Sequence, residues 1–232
     1  MNNVFIYAQG EGSRWGEGSH LELPSVKKQL LPIGKELLVQ RTVRQFNQHH
    51  VIIFGKCKAF GDLFSCDTDI WELKEPAGSI IDGFLTTAPY WKKPGSSILI
   101  LGDVIFENKV AQDISNFSGE NVTIFGRMSS NDFTSKKAKE IFAVALPDNE
   151  ETKQRFFGVM VNFINQCGKE RSSKKLWDLW FYIVEKGLTE YIFRDYSGRS
   201  YTDDVDSTEE YFAFGKTMIQ LALEDDKNFV LA

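Results

Sequence analysis

The sequence is poor in the residues that carry the commoner enzyme chemistries. Its three cysteines, Cys57, Cys66 and Cys167, are odd in number, widely spaced and never paired as CxxC. That argues against zinc binding and against a disulfide framework. The only histidines are His20, His49 and His50, and none stands at ligand spacing from another. No Ser-His or Cys-His signal for nucleophilic catalysis is present. No apolar run approaches the length needed to cross a bilayer. The N-terminus has no basic segment leading into an apolar stretch, so the cytoplasm is the expected location. Positive charge is not in excess: 27 Lys and Arg face 32 Asp and Glu, a net charge of −5. General affinity for nucleic acid needs a basic face to displace counterions, so nucleic acid is not an expected partner. No linker, repeat or low-complexity tract divides the 232 residues, and they read as one domain.

What is present is an alternation of short apolar strands and amphipathic helices. Val4–Tyr7, Val51–Phe54, Ser97–Leu101 and Val122–Phe125 read as buried strands. Leu37–Phe46, Ser79–Trp91 and Val110–Phe117 read as helices between them. This order predicts an α/β fold with a mostly parallel sheet covered on both faces. Lys139–Phe163 reads as strand-rich, with Ile141–Val144 followed by Phe156–Phe163. Ser173–Glu185 reads as an aromatic helix with Leu176, Trp177, Trp180, Phe181 and Val184 on one face. Its spacing suits a core or a subunit interface, which keeps a homo-oligomer open. Ser207–Leu223 reads as the last helix.

Three motifs carry chemistry. The first is the loop after Tyr7, with Gly10, Gly12, Gly16, Gly18 and Arg14, ending in Lys27-Lys28. Glycine lets backbone N–H groups approach phosphate oxygens, and Arg and Lys offset the charge. The loop is neither a P-loop nor a dinucleotide fingerprint, since no GxxxxGK[ST] occurs and Trp15 follows where a third glycine belongs. The second is Gly102-Asp103-Val104 at the end of an apolar strand. A carboxylate there can hold Mg²⁺, and an ordinary turn aspartate looks the same. The third is Asp203-Asp204-Val205-Asp206-Ser207-Thr208-Glu209-Glu210. Ser207 with Glu210 fits a capping box, yet three crowded aspartates repel and would welcome a cation.

Together the motifs resemble the sugar-phosphate nucleotidyltransferases and their cytidylyltransferase and molybdopterin-nucleotidyltransferase relatives. The resemblance runs through Ala8-Gln9-Gly10-Glu11-Gly12-Ser13-Arg14, then Lys28-Gln29-Leu30-Leu31-Pro32-Ile33-Gly34-Lys35-Glu36-Leu37-Leu38. It continues through Glu75-Pro76-Ala77-Gly78-Ser79 and Gly102-Asp103-Val104 to Asp204-Val205-Asp206-Ser207-Thr208-Glu209-Glu210-Tyr211. The order matches the family's and spans nearly the whole chain. Gln9, Lys27 and Ser207-Thr208 depart from the pattern.

The resemblance implies a three-layer, Rossmann-like fold of the GT-A type. Residues 1–130 would be its nucleotide-binding part. Residues 131–232 would be its acceptor-binding part plus a C-terminal metal-ligand helix. It implies Mg²⁺-dependent transfer of NMP from an NTP to a sugar phosphate or similar phosphorylated small molecule, with release of pyrophosphate. Arg14, Lys28 and Asp103 are the implied catalytic residues. Ala8, Gln9, Gly10, Gly12, Ser13, Arg14, Lys28, Gly78 and Ser79 would bind nucleotide. Asp103 and Asp206 would hold the metal, and Gly158 would face the acceptor. Lys153, Arg155, Arg171, Lys174 and Lys175 are candidate cations for the acceptor phosphate. Two other readings stay open. One is a glycosyltransferase using a nucleotide sugar, although the mid-chain strand end carries one aspartate rather than DxD. The other is a non-catalytic nucleotide-binding member, for which the departures leave room.

Overall fold

The computed structural model describes residues 1–8, 28–55, 60, 63–64, 69–72, 79–129, 139–198, 200–205 and 210–230. Its strands are β1 (Asn3–Ala8), β2 (Pro32–Ile33), β3 (Glu36–Leu37), β4 (His50–Gly55), β5 (Asp69–Glu72) and β6 (Ser97–Leu101), followed by β7 (Val104–Ile105), β8 (Thr123–Arg127), β9 (Glu140–Leu146), β10 (Ile192–Asp195) and β11 (Asp203–Asp204). The helices are α1 (Leu38–Gln45), α2 (Ile80–Thr87), α3 (Asn108–Ser115), α4 (Glu150–Cys167), α5 (Leu176–Glu185) and α6 (Lys216–Val230).

A seven-stranded sheet in the order β10-β8-β9-β6-β1-β4-β5 forms the centre. Every pairing is parallel except those of β9, which runs against both β6 and β8. The inner strands are apolar without interruption because helices cover both faces. Along β1 the alternation is visible. Val4, Ile6 and Ala8 join a core that includes Val39 and Phe46 beside α1 and Val110 and Ile114 of α3. Phe5 joins the opposite core, with Ile81 and Phe84 of α2, Phe156 and Met160 of α4, and Leu176, Leu179 and Ile183 of α5. The three-layer α/β architecture expected from the sequence is the one observed.

Two helical assignments differ from the expectation. Phe156–Phe163 lies in α4, not in a strand. Its buried positions Phe156, Met160, Phe163 and Ile164 recur at i, i+4, i+7 and i+8, a helical period. Asn149 caps the helix, its side chain accepting from the Thr152 amide at 2.9 Å, and Glu150 and Glu151 suit the positive end of the helix dipole. In α5 the buried face is Leu176, Leu179 and Ile183, whereas Phe181 and Val184 are 50% and 55% exposed. The aromatics therefore do not form one buried stripe. The expected final helix lies partly outside the described residues. Its described part is a π-helical turn, Tyr211–Gly215, leading into α6. Strand β10 was not expected. Its apolar signal, Tyr191-Ile192-Phe193, is too short to separate from loop by pattern alone.

A third, smaller core lies beside the sheet. Leu31, Ile33, Leu38, Ile105, Tyr201 and Val205 pack there against Met218 and Ala222 of α6. The buried Arg41 of α1 ties this unit together. Its guanidinium donates to the Phe106 carbonyl at 2.5 Å and to both carboxylate oxygens of Asp226 at 3.1 and 3.2 Å. The Tyr201 hydroxyl donates to Asp225 at 2.7 Å, and the Asn108 amide donates to the same oxygen at 2.7 Å. Helix α6 is thereby fastened to α1 and α3.

Candidate active site

The site begins where β6 ends. The Gly102 amide donates to the Tyr7 carbonyl at 2.9 Å, pressing the turn against the end of β1. A Cβ at position 102 would stand 2.8 Å from that carbonyl oxygen, so the approach requires glycine. Asp103 follows at once and sits at the carboxyl edge of the parallel strands, where open α/β sheets bind ligands.

Two other segments converge on Asp103. Lys28 opens a short 3₁₀ turn, Lys28–Leu30, and is nearly buried. Its Nζ lies 3.6 Å from an Asp103 carboxylate oxygen. From the C-terminal part of the chain, β11 pairs antiparallel with β7, setting Asp204 opposite Val104. The Val205 amide donates to the Asp103 carbonyl at 3.3 Å. Lys28, Asp103 and Asp204 line one cavity of about 400 Å³. Lys139, Lys174, Lys175 and Trp177 line it too. Lys139 immediately precedes β9. The other three come from the connection between α4 and α5 and the first turn of α5.

The two described aspartates of the cluster have different surroundings. Asp203 is fully buried, and Arg127 Nη2 donates to it at 2.8 Å from a guanidinium that is itself buried. Its Oδ1 also accepts from the Asp204 amide at 3.0 Å. The repulsion expected among three crowded aspartates is thus relieved at Asp203 by a cation of the protein. Asp204, its neighbour, faces the cavity. Tyr7 borders the same region. Burial, then the charges of Asp103 and Asp82, push its hydroxyl up to about 12, so it stays protonated at neutral pH.

The other expected site residues fall in several places. Ala8 ends β1 in the core, opposite Gly55. Ser79 caps α2: its hydroxyl accepts from the Asp82 amide at 3.1 Å and donates to the Asp82 carboxylate at 3.0 Å. Its neighbour Ile80 lines the cavity. Gly158, Lys153 and Arg155 all lie on α4, and none lines the cavity. The Lys153 ammonium is buried, donating to the Trp91 and Gly95 carbonyls at 2.7 and 2.9 Å. Arg155 is exposed and paired with Glu151. Of the candidate acceptor cations, Lys174 and Lys175 reach the cavity. Gln9, Gly10, Gly12, Ser13, Arg14, Gly78 and Asp206 lie outside the described residues. Sequence reasoning did not single out Lys139. The only signal for it is its place at the start of the reversed strand. Among the described residues no group of three or more metal-ligating side chains converges. The carboxylates of Asp103 and Asp204 sharing one cavity suit the one or two protein ligands that Mg²⁺ takes beside phosphate and water.

No family model and no curated protein sequence matches the chain. Solved structures do. A Bacillus anthracis protein described as a glucose-1-phosphate thymidylyltransferase superposes with a TM-score of 0.62 at 15% identity, covering 96% of this chain and 95% of its own. The inositol-1-phosphate CTP transferase of T. maritima gives 0.61 at 14% identity, covering 96% of each chain. The CTP:phosphocholine cytidylyltransferase of Streptococcus pneumoniae gives 0.59 at 14% identity, covering 91% of this chain and 97% of its own. The chain shares the fold of these three proteins. Within that fold, the Lys28–Asp103 pair and Asp204 stand on the carboxyl edge of the sheet. Among the described residues no helix is long and apolar enough to cross a membrane.

Proposed function

We propose that the protein transfers a nucleoside monophosphate from an NTP to a phosphorylated small molecule and releases pyrophosphate. The observation that carries this reading is the Lys28 ammonium 3.6 Å from the Asp103 carboxylate, in a cavity that Asp204 shares. It pairs a cation for phosphate with carboxylates for a divalent ion at one strand edge. The fold's solved members, named for nucleotidyl transfer to glucose 1-phosphate, inositol 1-phosphate and phosphocholine, support it.

In this reaction an oxygen of the acceptor phosphate forms a bond to the α-phosphorus of the NTP. The bond from that phosphorus to the bridging oxygen breaks, and pyrophosphate leaves with the electron pair. The acceptor oxygen is already anionic, so no general base is required, consistent with the scarcity of histidine. Catalysis then rests on positioning and charge. Lys28 would hold the α-phosphate, where negative charge grows. Arg14 and the amides of Gly10, Gly12 and Ser13 would hold the rest of the triphosphate, with Gln9, Gly78 and Ser79 near the base and ribose. Asp103 and Asp206, with Asp204 beside them, would hold Mg²⁺, which supplies Lewis-acid stabilisation of the phosphates.

The test is pyrophosphate release in Mg²⁺ across four NTPs and a panel of sugar, cyclitol and amino-alcohol phosphates. One NTP and acceptor pair should turn over. Asp103→Asn should abolish that turnover while the far-UV signal is kept. Transfer from a nucleotide sugar with no NTP reaction would establish a glycosyltransferase instead. Stabilisation by an NTP with no turnover on any acceptor would establish a binding protein.

A further inference from the structure

The Arg127–Asp203 pair is costly to keep and stands one residue from the cavity. Its side chains are 1% and 0% exposed. Burying two charges forfeits their hydration, and well-packed apolar groups in the same space are often as stable or more so. Stability alone is therefore a weak reason for the pair, and its hydrogen bonds point to another. Asp203 Oδ1 accepts from Arg127 Nη2 at 2.8 Å and from the Asp204 amide at 3.0 Å. One oxygen thus joins the guanidinium to the backbone that carries the Asp204 side chain. Arg127 Nη1 donates to the Ser129 carbonyl at 3.3 Å, which holds the guanidinium from a second side. Strand β11 is only Asp203–Asp204, too short to fix its own geometry. Asp204 lines the cavity with Asp103, whereas Asp203 and Arg127 do not. The end of β8 is shaped for this contact. The β8–β9 ladder slips between Phe125 and Gly126, and a Cβ at Gly126 would run into the Glu140 carbonyl. Irregularities of this kind re-aim the side chains that follow them. Past the slip, Arg127 pairs with Glu140, which is itself on the cavity wall.

We infer that Arg127, acting through Asp203, is a positioning residue that sets the Asp204 carboxylate in the cavity beside Asp103 as a ligand for a divalent cation. Arg127 touches neither substrate nor metal. A partner standing behind a metal ligand fixes that ligand's orientation, and its loss lowers metal affinity by about 10- to 100-fold. The inference rests on the metal part of the transfer reading, but metal affinity is a binding property and is testable without turnover.

The experiment is Mn²⁺ binding to the full chain, followed by electron paramagnetic resonance, with the urea midpoint measured beside it. It compares the unaltered protein with Asp204→Asn, Arg127→Lys and the double replacement Arg127→Met with Asp203→Leu. Asp204→Asn should weaken Mn²⁺ binding by about tenfold or more. The double replacement should recover a midpoint near that of the unaltered protein and still bind Mn²⁺ about tenfold more weakly or worse. A merely structural pair predicts that affinity returns with the midpoint, and that result overturns the inference. Arg127→Lys keeps the charge, but one ammonium on a shorter stem does not bridge Asp203 and the Ser129 carbonyl as two guanidinium nitrogens do. It should fold and weaken Mn²⁺ binding by about threefold or more. Unchanged affinity there also overturns the inference, and this variant decides alone if the double replacement does not fold. No Mn²⁺ binding by the unaltered protein, or unchanged binding in Asp204→Asn, removes the metal site and the inference with it. Weakened Mn²⁺ binding in the double replacement, in a chain that turns over no NTP, leaves the inference standing and removes the transfer reading. NTP turnover with full Mn²⁺ affinity in the double replacement does the reverse.

Discussion

Lys28 shows what one side chain contributes at this site. Its ammonium is nearly buried and 3.6 Å from Asp103, so its charge acts with little screening on whatever enters the cavity. Replacing it with Gln is expected to lower kcat by about 10² to 10³, the scale of losing one transition-state donor, in the pyrophosphate-release assay. Gly102 acts on the same site through space rather than charge. An added Cβ would meet the Tyr7 carbonyl at 2.8 Å, a backbone atom that gives way only if β1 or the Asp103 turn shifts. Gly102→Ala should cost about 1–3 kcal/mol in urea denaturation and reduce turnover as well. Lys28 and Asp103 were legible in the sequence because each adjoins a strong local signal: an apolar run after a glycine-rich loop, and a buried strand end. The different surroundings of Asp203 and Asp204 were not legible. Adjacent residues on a strand point to opposite faces, and only tertiary structure shows that Arg127 waits on one of them.

Among the elements, the Arg127–Asp203 pair links β8 to β11 with both charges out of water. Removing one partner leaves the other buried and uncompensated. Asp203→Asn is expected to destabilise the fold by about 3–5 kcal/mol, read from the urea midpoint. The double replacement Arg127→Met with Asp203→Leu should recover much of that loss, because two well-packed apolar groups carry no desolvation penalty. Strands β1, β4 and β6 were legible because parallel strands covered on both faces are continuous apolar runs, whereas β5, with Asp69 and Glu72 at its ends, was not. Phe156–Phe163 misled for a related reason. Phe156-Phe157 and Val159–Val161 look like such runs, but the positions that are buried recur at helical spacing and Asn149 marks a helix start. The acceptor candidates Lys153, Arg155 and Gly158 lie on that helix and do not line the cavity that Lys28 and Asp103 share. Lys139 went unnoticed because nothing local says that β9 is reversed. Only a reversed strand begins at the ligand edge of the sheet.

At the scale of the whole molecule, the fastening of α6 is charge-based and therefore pH-sensitive. Burial opposes ionisation of Asp226, but Arg41, Arg44 and Asn108 outweigh it and hold the carboxyl below the usual aspartate value. A carboxyl depressed in the folded state adds stability above its unfolded pKa and loses it as pH falls through the lower folded value. Acid denaturation should therefore include a step below about pH 4 that Asp226→Asn flattens, with neutral-pH stability lowered by on the order of 1 kcal/mol after allowing for partial exposure. The two-residue ladder between β7 and β11 has a different kind of consequence. It joins the middle of the chain to its last part, so Asp103 has no Asp204 beside it until the C-terminal segment has docked. A two-residue ladder is too short to hold by itself and forms only on a β7 that the adjoining strand β6 of the central sheet has placed. The central sheet can therefore re-form before the site exists. On dilution from urea, far-UV signal should return first, and enzymatic competence should follow in a slower phase set by the arrival of residues 200–205.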